Sequence, residues 1–191
     1  MRFIYVLIAY LIAPLVVGVM LWRGLRDRSH WRNFSERFGF GEAPFAGESL
    51  WVHAVSVGEV QAATALVRAL RQRYPDMPLV LTTVTPTGAE RARAQFGADV
   101  WVRYVPYDLP GSVARFFDRV RPRMAIILET ELWPNLYNEC GRRRVPLVLA
   151  SARISPRSAT RYRRLSGLFR ETLSHGIVIA AQSEADAERF R

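Results

Sequence analysis

Residues 50–74 have the sequence LWVHAVSVGEVQAATALVRALRQRY. Residues 50–56 are a short apolar run, which is typical of a buried strand. From 59 to 74 apolar residues recur at helical spacing instead, beginning with Val60 and Ala63. The stretch therefore predicts a strand followed by a helix that packs back on a sheet, as in a βαβ unit.

The same alternation continues along the rest of the chain. Further strands are predicted at 78–83, 100–105, 124–128, 145–150 and 176–181. Further helices are predicted at 87–96, 110–120, 132–143 and 155–173, with a last one capped by Ser183. This pattern predicts an α/β fold with a Rossmann-like, six-stranded parallel sheet, right-handed crossovers and helices on both faces. The last helix has about eight residues before the sequence stops, so we expect the chain to be part of a longer protein.

The composition is that of a folded protein with an excess of positive charge. Half of the 191 residues are hydrophobic and 23% are charged, which excludes disordered and collagen-like chains. All 27 cationic residues are arginine, as GC-rich codon usage produces, and the net charge is +10. That charge favours anionic partners such as phospholipid, phosphorylated glycolipid or nucleic acid.

Cysteine usage excludes disulfides and argues against a structural metal site. The single cysteine, Cys140, cannot form an intrachain disulfide. It cannot build a zinc site by itself either, and only His30, His53 and His175 could assist it.

Residues 3–22 are twenty uncharged residues, a length that matches the hydrocarbon layer of a bilayer. A cleaved signal peptide fits less well, because the run ends in large residues at 19–22. A buried soluble helix would have to be apolar on all sides. We therefore predict a membrane anchor at 1–22, a basic juxtamembrane connector at 23–49 and a Rossmann-like domain at 50–191.

Five arginines follow the anchor and predict its orientation. They are Arg23, Arg26, Arg28, Arg32 and Arg37. The positive-inside rule places their side in the cytoplasm, and we expect them to contact anionic headgroups. Whether residues 3–22 span the bilayer or lie in its interface is left open by the sequence.

Ligands of open parallel sheets bind beyond the carboxyl ends of the strands. After the first predicted strand come Ser56, Gly58 and Glu59. Neither a G-x-G-x-x-G motif nor the ending of a P-loop is present, which disfavours a dinucleotide site and a nucleoside triphosphatase. Glu59 is either a first-turn carboxylate that stabilises the helix dipole or a general base at the ligand edge.

Two acids, Glu129 and Glu131, follow the apolar strand at 124–128. Carboxylates at a strand end are costly unless they are solvated, paired or used in function. One interpretation pairs them with arginines such as Arg153. The other places them in a cleft with Glu59, where a cluster of carboxylates raises at least one pKa and favours a base.

The remaining candidates are hydroxyl-bearing and basic residues. Thr85, Thr87 and Gly88 form either a turn with an N-cap or a set of donors to sugar hydroxyls or phosphate. His53 lies within a strand and is interpreted as a core histidine. Arg153 begins a basic segment that is either a solvated helix face or a surface that captures phosphates. The segment continues with Arg157, Arg161, Arg163 and Arg164.

Six short motifs occur in order along the chain. They are WVHAVSVGE at 51–59, TTVTPTG at 82–88, YDLP at 107–110, ETELWPN at 129–135, ASAR at 150–153 and AAQSE at 180–184. Together these motifs resemble those of the 3-deoxy-D-manno-octulosonic acid (Kdo) transferases of lipopolysaccharide synthesis.

The resemblance implies a GT-B glycosyltransferase with two Rossmann-like domains. Such an enzyme transfers Kdo from CMP-Kdo to a lipid A precursor (lipid IVA) with inversion, at the cytoplasmic face of the bacterial inner membrane and without a metal ion or other cofactor. The resemblance covers only the amino-terminal, acceptor-binding half. The CMP-Kdo domain is expected to be absent, so the chain alone is expected to fold but not to catalyse.

The resemblance also assigns roles to individual residues. Glu59 matches the catalytic base, and Glu129 matches an acid that stabilises the transition state, with Glu131 as the alternative. The acceptor-binding candidates are Ser56, Gly58, Thr85, Thr87, Gly88, Glu131 and Arg153.

A rival interpretation is a membrane-tethered, non-catalytic module that binds anionic lipid or nucleic acid. The basic charge supports it, but the acids at the strand ends do not. The sequence has no interleaving of aromatic and basic residues of the kind found in single-strand binders, so we expect no nucleic-acid partner.

Overall fold

The computed structural model of the chain describes residues 2–129, 131–154, 167–168 and 176–190. The apolar run forms one long helix, α1 (Arg2–Arg26), and two short 3₁₀ helices follow at Arg28–Trp31 and Phe34–Phe38. The strands are β1 (Ser49–His53), β2 (Leu79–Thr83), β3 (Trp101–Tyr104), β4 (Pro122–Leu128), β5 (Leu147–Ala152) and β6 (Ile177–Ala181). The helices after α1 are α2 (Val57–Ala62), α3 (Thr64–Arg73), α4 (Pro86–Phe96), α5 (Pro110–Val120) and α6 (Pro134–Arg143), with a further helix at Glu184–Phe190.

The strands form a six-stranded sheet in the order β3-β2-β1-β4-β5-β6. All of its pairings are parallel, with Trp51 of β1 beside Val80 of β2 and Ala125 of β4. This order belongs to doubly wound sheets, and it confirms the predicted α/β, Rossmann-like fold.

The sheet separates two hydrophobic cores. On one face Leu50 and Val52 of β1 pack with residues of α2, α3 and α4, such as Val60 and Val67. On the other face Trp51 packs with residues of α5 and α6. Successive side chains of a strand point to opposite faces, so a strand that is apolar at every position needs cover on both.

The prediction of one continuous helix at 59–74 is wrong. The structure contains α2 and α3 instead, with a break at Ala63. Next to the break the Thr64 hydroxyl donates to the carbonyl of Val60 at 3.4 Å. A threonine that bonds back to the carbonyl four residues earlier bends a helix, and this explains the interruption.

The second 3₁₀ helix packs against the sheet, so part of the basic connector is buried. Arg37 is only 2% exposed, donates to the carbonyl of Val84 at 2.8 Å and lies over the ring of Tyr104. Glu36 accepts from the backbone N–H of Tyr104 at 2.8 Å. The prediction that Arg37 contacts lipid headgroups is therefore wrong, because its charge is used inside the domain.

Two predictions fall largely on residues outside the described ranges. The basic helix predicted at 155–173 is described only at 167–168, where the chain is helical. Its arginines, Arg157, Arg161, Arg163 and Arg164, and also His175 lie outside the described residues. Ser183 is confirmed as a cap, since its Oγ accepts from the N–H of Asp186 at 3.1 Å.

Candidate active site

The carboxyl edge of the sheet brings three loops together. Because β1 lies between β2 and β4, the loops that follow these strands are neighbours. The first two loops are bonded to each other, since the carbonyl of Val55 accepts from the Thr83 hydroxyl at 2.8 Å and from the N–H of Val84 at 3.2 Å. These hydrogen bonds therefore fix the loop after β1, which carries candidate residues, relative to the loop after β2.

Glu59 is buried at the start of α2, in a capping arrangement. Ser56 is the N-cap and its Oγ accepts from the N–H of Glu59 at 3.4 Å. The Glu59 carboxylate reaches back, accepting from the N–H of Val55 at 2.8 Å and from the Ser56 hydroxyl at 3.1 Å. This is close to a capping box, so the structural interpretation of Glu59 is confirmed, and the residue is only 9% exposed.

The same carboxylate is electrostatically unusual. Burial raises the pKa of Glu59, and the charges of Glu129 and Glu131 add to the increase, while the hydrogen bonds from Val55 and Ser56 oppose it. Glu59 and the two acids stand in loops that follow neighbouring strands, and that the three carboxylates share a cleft stays a prediction. A raised pKa brings a carboxylate nearer to the range in which a general base works best.

Glu129 has a strained backbone at the end of β4. Its φ is 56°, in the left-handed region that side chains other than glycine rarely adopt. Its N–H donates to the carbonyl of Ala150 on β5, where Ser151 has a φ of 57°. Such conformations are most often found at functional sites, because they cost energy and need surroundings that hold them. The Glu129 side chain is exposed at this edge.

Glu131 is held more firmly than Glu129. Its Oε2 accepts from the indole N–H of Trp133 at 2.9 Å, and its backbone carbonyl accepts from the Tyr137 hydroxyl. Burial raises the pKa of Glu131, as does the charge of Glu129, while the bond from Trp133 lowers it. Glu131 is thus a fixed carboxylate, whereas Glu129 projects into solvent.

The loop after β2 is a helix cap in the structure. Thr85 is the N-cap of α4 and accepts from the N–H of Gly88 at 3.0 Å, while Thr87 is exposed. Gly88 is buried, and a Cβ there would lie 2.5 Å from Thr83 Oγ1. A glycine is therefore needed for the close approach of α4 to the edge. That Thr85, Thr87 and Gly88 bind an acceptor stays a prediction.

The other acceptor-binding candidates lie on the surface of the edge. Gly58 is exposed, and a Cβ there would meet only Ser56 Oγ, at an ordinary contact distance of 3.9 Å. Arg153 follows β5 directly and is exposed as well. Their binding roles also stay predictions.

Asp108 is an important residue that the sequence reasoning did not select. The residue is only 9% exposed, and its carboxylate accepts from the N–H groups of Asn135 at 3.0 Å and Leu136 at 2.8 Å, in the first turn of α6. It also accepts from the Tyr5 hydroxyl at 2.8 Å. Burial raises the pKa of Asp108, and these hydrogen bonds oppose the increase. The missed signal was that α6 begins at Pro134 without a capping side chain of its own.

His53 is confirmed as a core histidine. It is fully buried, and its Nδ1 lies 3.1 Å from the carbonyl of Thr82, which can only accept a hydrogen bond. Nδ1 also lies 2.8 Å from the Thr82 hydroxyl, which can donate or accept, so these partners fit either neutral tautomer. Burial lowers the pKa of His53 to about 4.

Lowering the pH is expected to destabilise the wild type more than the His53→Asn variant. The unfolded chain binds a proton near pH 6.5 but the folded ring does so only near pH 4, so stability is present above 6.5 and lost as the pH falls towards 4. The loss is about 3 kcal/mol. Urea denaturation of both proteins in detergent at pH 7 and pH 4.5 measures it, and equal losses in the two proteins would contradict this account.

In the described part of the chain no group of three or more His, Cys, Asp or Glu residues is arranged to hold a metal ion. Cys140 is buried in the core beside α5, and burial raises its pKa to about 12. The thiol is therefore unsuited to metal binding or nucleophilic chemistry. That the site works without a metal or other cofactor stays a prediction.

The chain is similar to a known family over most of its length. Residues 32–191 match the family model of the 3-deoxy-D-manno-octulosonic-acid transferases (kdotransferases). The matched range includes the whole sheet and every candidate residue of its carboxyl edge.

Individual relatives agree with the family match. The chain is 40% identical to the 3-deoxy-D-manno-octulosonic acid transferase of Haemophilus influenzae and 37% identical to that of Bordetella pertussis, with 99% of the chain covered in each case. It is 34% identical to a probable mitochondrial 3-deoxy-D-manno-octulosonic acid transferase of Arabidopsis thaliana, with 98% covered. The chain spans 43–46% of the length of these relatives. On this match, the chain belongs to the 3-deoxy-D-manno-octulosonic acid transferase family.

Proposed function

We propose that this chain forms the acceptor-binding side of a glycosyltransferase that moves Kdo from CMP-Kdo to lipid IVA in lipopolysaccharide synthesis. The observation that carries the proposal is the position of Glu59, Glu129 and Glu131 in neighbouring loops at the carboxyl edge of the sheet, in a chain of the Kdo transferase family. Ligands of doubly wound sheets bind at this edge.

Glu59 acts as the general base. One carboxylate oxygen takes the proton of an acceptor hydroxyl while that oxygen bonds to the anomeric carbon of Kdo. The bond from the anomeric carbon to the phosphate of CMP breaks, and CMP leaves with the electron pair. The bonds from Val55 and Ser56 hold the carboxylate in one orientation, which favours transfer along a fixed path.

Glu129 stabilises the positive charge that develops on the sugar as CMP leaves. Its exposed side chain at the same edge of the sheet as Glu59 supports this role, because a transferred sugar passes through a cationic transition state. Glu131 is the alternative and is held by Trp133. The repulsion among the three carboxylates also raises the basicity of Glu59.

The donor CMP-Kdo is bound mainly by residues outside this chain. The relatives are about twice as long as the chain, which supports a second part of the enzyme that carries the donor site. The acceptor reaches the site from the membrane. The apolar α1, the arginines around it and the net charge of +10 support a location at the cytoplasmic face of the inner membrane, against anionic lipid.

We expect Arg153→Ala to weaken the binding of lipid IVA by about tenfold or more. A charge-assisted contact to a phosphate contributes roughly 1.5–3 kcal/mol. The matched control is Arg123→Ala, because Arg123 is an exposed arginine at the opposite end of β4, 3.7 Å from Glu48. Binding to lipid IVA and to its dephosphorylated form is compared for both variants. Equal affinity of the wild type for the two lipids would remove the phosphate contact from the proposal.

The test of the proposed function is a transfer assay with the intact protein in detergent. CMP-Kdo and lipid IVA are supplied, and both released CMP and Kdo-modified lipid are measured. We expect equal amounts of the two products. Tight binding of lipid IVA without any transfer of Kdo would contradict the proposed enzymatic activity. It would favour a non-catalytic binding module.

A further inference from the structure

The amino end of α1 is bonded to the globular domain. At its amino end the Tyr5 hydroxyl donates to Asp108 and Arg2 donates to Asn138 Oδ1, both at 2.8 Å. At its carboxyl end Gly24 is buried, and the indole of Trp31 fills the space in which a Cβ of residue 24 would lie. The two ends of the helix are therefore held by the rest of the chain.

The helix has two apolar faces with different surroundings. The inner face, which includes Tyr5, Ile8, Ile12 and Val16, lines an open groove of about 250 Å³ whose other wall includes Phe38 and Leu109, and Ile8 and Ile12 are still 48% and 47% exposed. The outer face consists of Phe3, Leu7, Leu11 and Leu15, which are 79%, 52%, 70% and 69% exposed. The inner residues recur every three or four positions, so one side of the helix faces the groove.

This docking is incompatible with a helix that spans the bilayer. The rise of an α-helix places Arg2 and Arg26 about 36 Å apart, and the hydrocarbon layer is about 30 Å thick. If α1 crossed the membrane, Arg2 and Tyr5 would lie on the side opposite to Asn138 and Asp108. Their hydrogen bonds to these residues could not form. The mean hydropathy of 2.6 for the most apolar 18-residue stretch of α1 is that of a spanning helix, but hydropathy does not record the hydrogen bonds that the amino end makes to the domain.

We propose that α1 lies in the plane of a single membrane leaflet, with its inner face on the domain and its outer face among the acyl chains. The partner of the outer face is a leaflet with anionic headgroups. Arg23, Arg26 and Arg28 are exposed at the carboxyl end of the helix, and Arg26 lies 4.1 Å above the ring of Trp22. Arginine and tryptophan side by side are suited to the headgroup region. The inference goes beyond the proposed function: it rests on the membrane location but not on the transfer reaction.

The in-plane position has a consequence for the candidate site. Asp108, which accepts from Tyr5, also caps α6, and the loop before α6 carries Glu129 and Glu131. The docked end of α1 therefore ties the carboxyl edge of the sheet to the membrane surface. An acceptor can present its sugar hydroxyls there without leaving the leaflet.

The inference is tested by crosslinking in membranes of cells that express the intact protein. Arg2→Cys and Asn138→Cys are combined and treated with a flexible bis-maleimide, and Cys140, which is 1% exposed, serves as the unreactive background. We expect an intramolecular crosslink. The matched control pairs Asn138→Cys with Leu25→Cys, because Leu25 lies about 34 Å further along the helix. We expect no crosslink in the control.

A second measurement keeps the test independent of the cysteine variants. A fragment of a split fluorescent protein is fused to the amino terminus of the otherwise unchanged protein, and its complement is expressed in the cytoplasm. An in-plane helix gives fluorescence, since the amino terminus stays on the side of the domain. Absence of either the crosslink or the fluorescence overturns the proposal. Kdo transfer by the same preparations is measured separately, so failure of the topology is distinguished from failure of the function.

A third measurement identifies what the outer face contacts. The double variant Leu11→Glu, Leu15→Glu is expected to reduce the membrane-bound fraction by about tenfold or more, since two exposed leucines no longer enter the acyl chains. The crosslink between residues 2 and 138 is expected to persist in this variant, because neither leucine lies on the inner face. If the two substitutions left membrane binding unchanged, the outer face would not contact the leaflet, and the proposal would be contradicted.

Discussion

Glu59→Gln is expected to lower the turnover of Kdo transfer by about 10²–10⁴, the usual contribution of a general base. Glutamine keeps the size of the side chain and can still accept from the N–H of Val55, but it has no basic oxygen for the proton of the acceptor. We expect binding of lipid IVA and the fold to stay close to wild type, since the loss at the helix start is about 0.3–1 kcal/mol. Turnover with CMP-Kdo and lipid IVA, measured in the intact protein, gives the result.

The chain supplies a matched control for this variant. Ser183 and Asp186 form the same type of cap at the last described helix, with Ser183 Oγ 2.6 Å from Asp186 Oδ2 and 3.1 Å from its backbone N–H. Asp186→Asn removes a capping carboxylate that no step of the proposed reaction uses. We expect it to cost stability without lowering turnover. Equal losses of turnover in the two variants would mean that Glu59→Gln lowers turnover because it removes a helix cap and not because it removes a base.

The pH dependence gives a second readout for Glu59. Burial raises the pKa of Glu59, and protonation removes the base, so the acid limb of the rate profile reports this group. We expect the limb to lie above the ordinary range of a glutamate in the wild type and to be lost in Glu59→Gln. Near-normal turnover of the variant would exclude Glu59 as the base and leave Glu129 or Glu131 as the candidate.

Trp51→Ala is expected to cost about 3–5 kcal/mol of unfolding free energy, the usual range for a tryptophan removed from a core. Trp51 is fully buried in the central strand, donates to Thr82 Oγ1 at 2.8 Å and packs on Phe116 and Phe117, with ring centres 4.9 and 5.8 Å away. Because the helices on both faces fix the strands, the site cannot collapse to fill the cavity. Thermal unfolding followed by circular dichroism should show a melting temperature lower by about 6–20 °C.

Trp101→Ala is the matched control for Trp51→Ala. Trp101 is the same residue type on β3, the edge strand of the sheet, and it is only partly buried. We expect a clearly smaller loss, since water can fill the space that the indole leaves. Equal losses in the two variants would mean that the cost is set by the size of the side chain and not by the central position.

Much of the candidate site could be predicted from sequence, because it depends on local pattern. Ser56, three residues before Glu59, is a capping signal in itself, and both residues follow an apolar run that ends in a strand. The proximity of Glu129 and Glu131 to Glu59 was one of two interpretations. The sheet order brings the loops after β1 and β4 to the same edge, although these strands are about 70 residues apart in the sequence. That the three acids share a cleft stays a prediction.

The alternation of strands and helices, the parallel sheet and the apolar helix at the amino terminus could all be predicted from the order of residues alone. These features follow from the spacing of hydrophobic residues, which is a local property of the sequence. Three features depended on the folded structure instead: Asp108 caps a helix 27 residues away, Arg37 is buried, and the Tyr5 hydroxyl of α1 donates to Asp108. Each of these depends on which distant surfaces meet. Hydropathy measures the preference of a segment for an apolar environment, but it does not record whether protein or lipid supplies that environment.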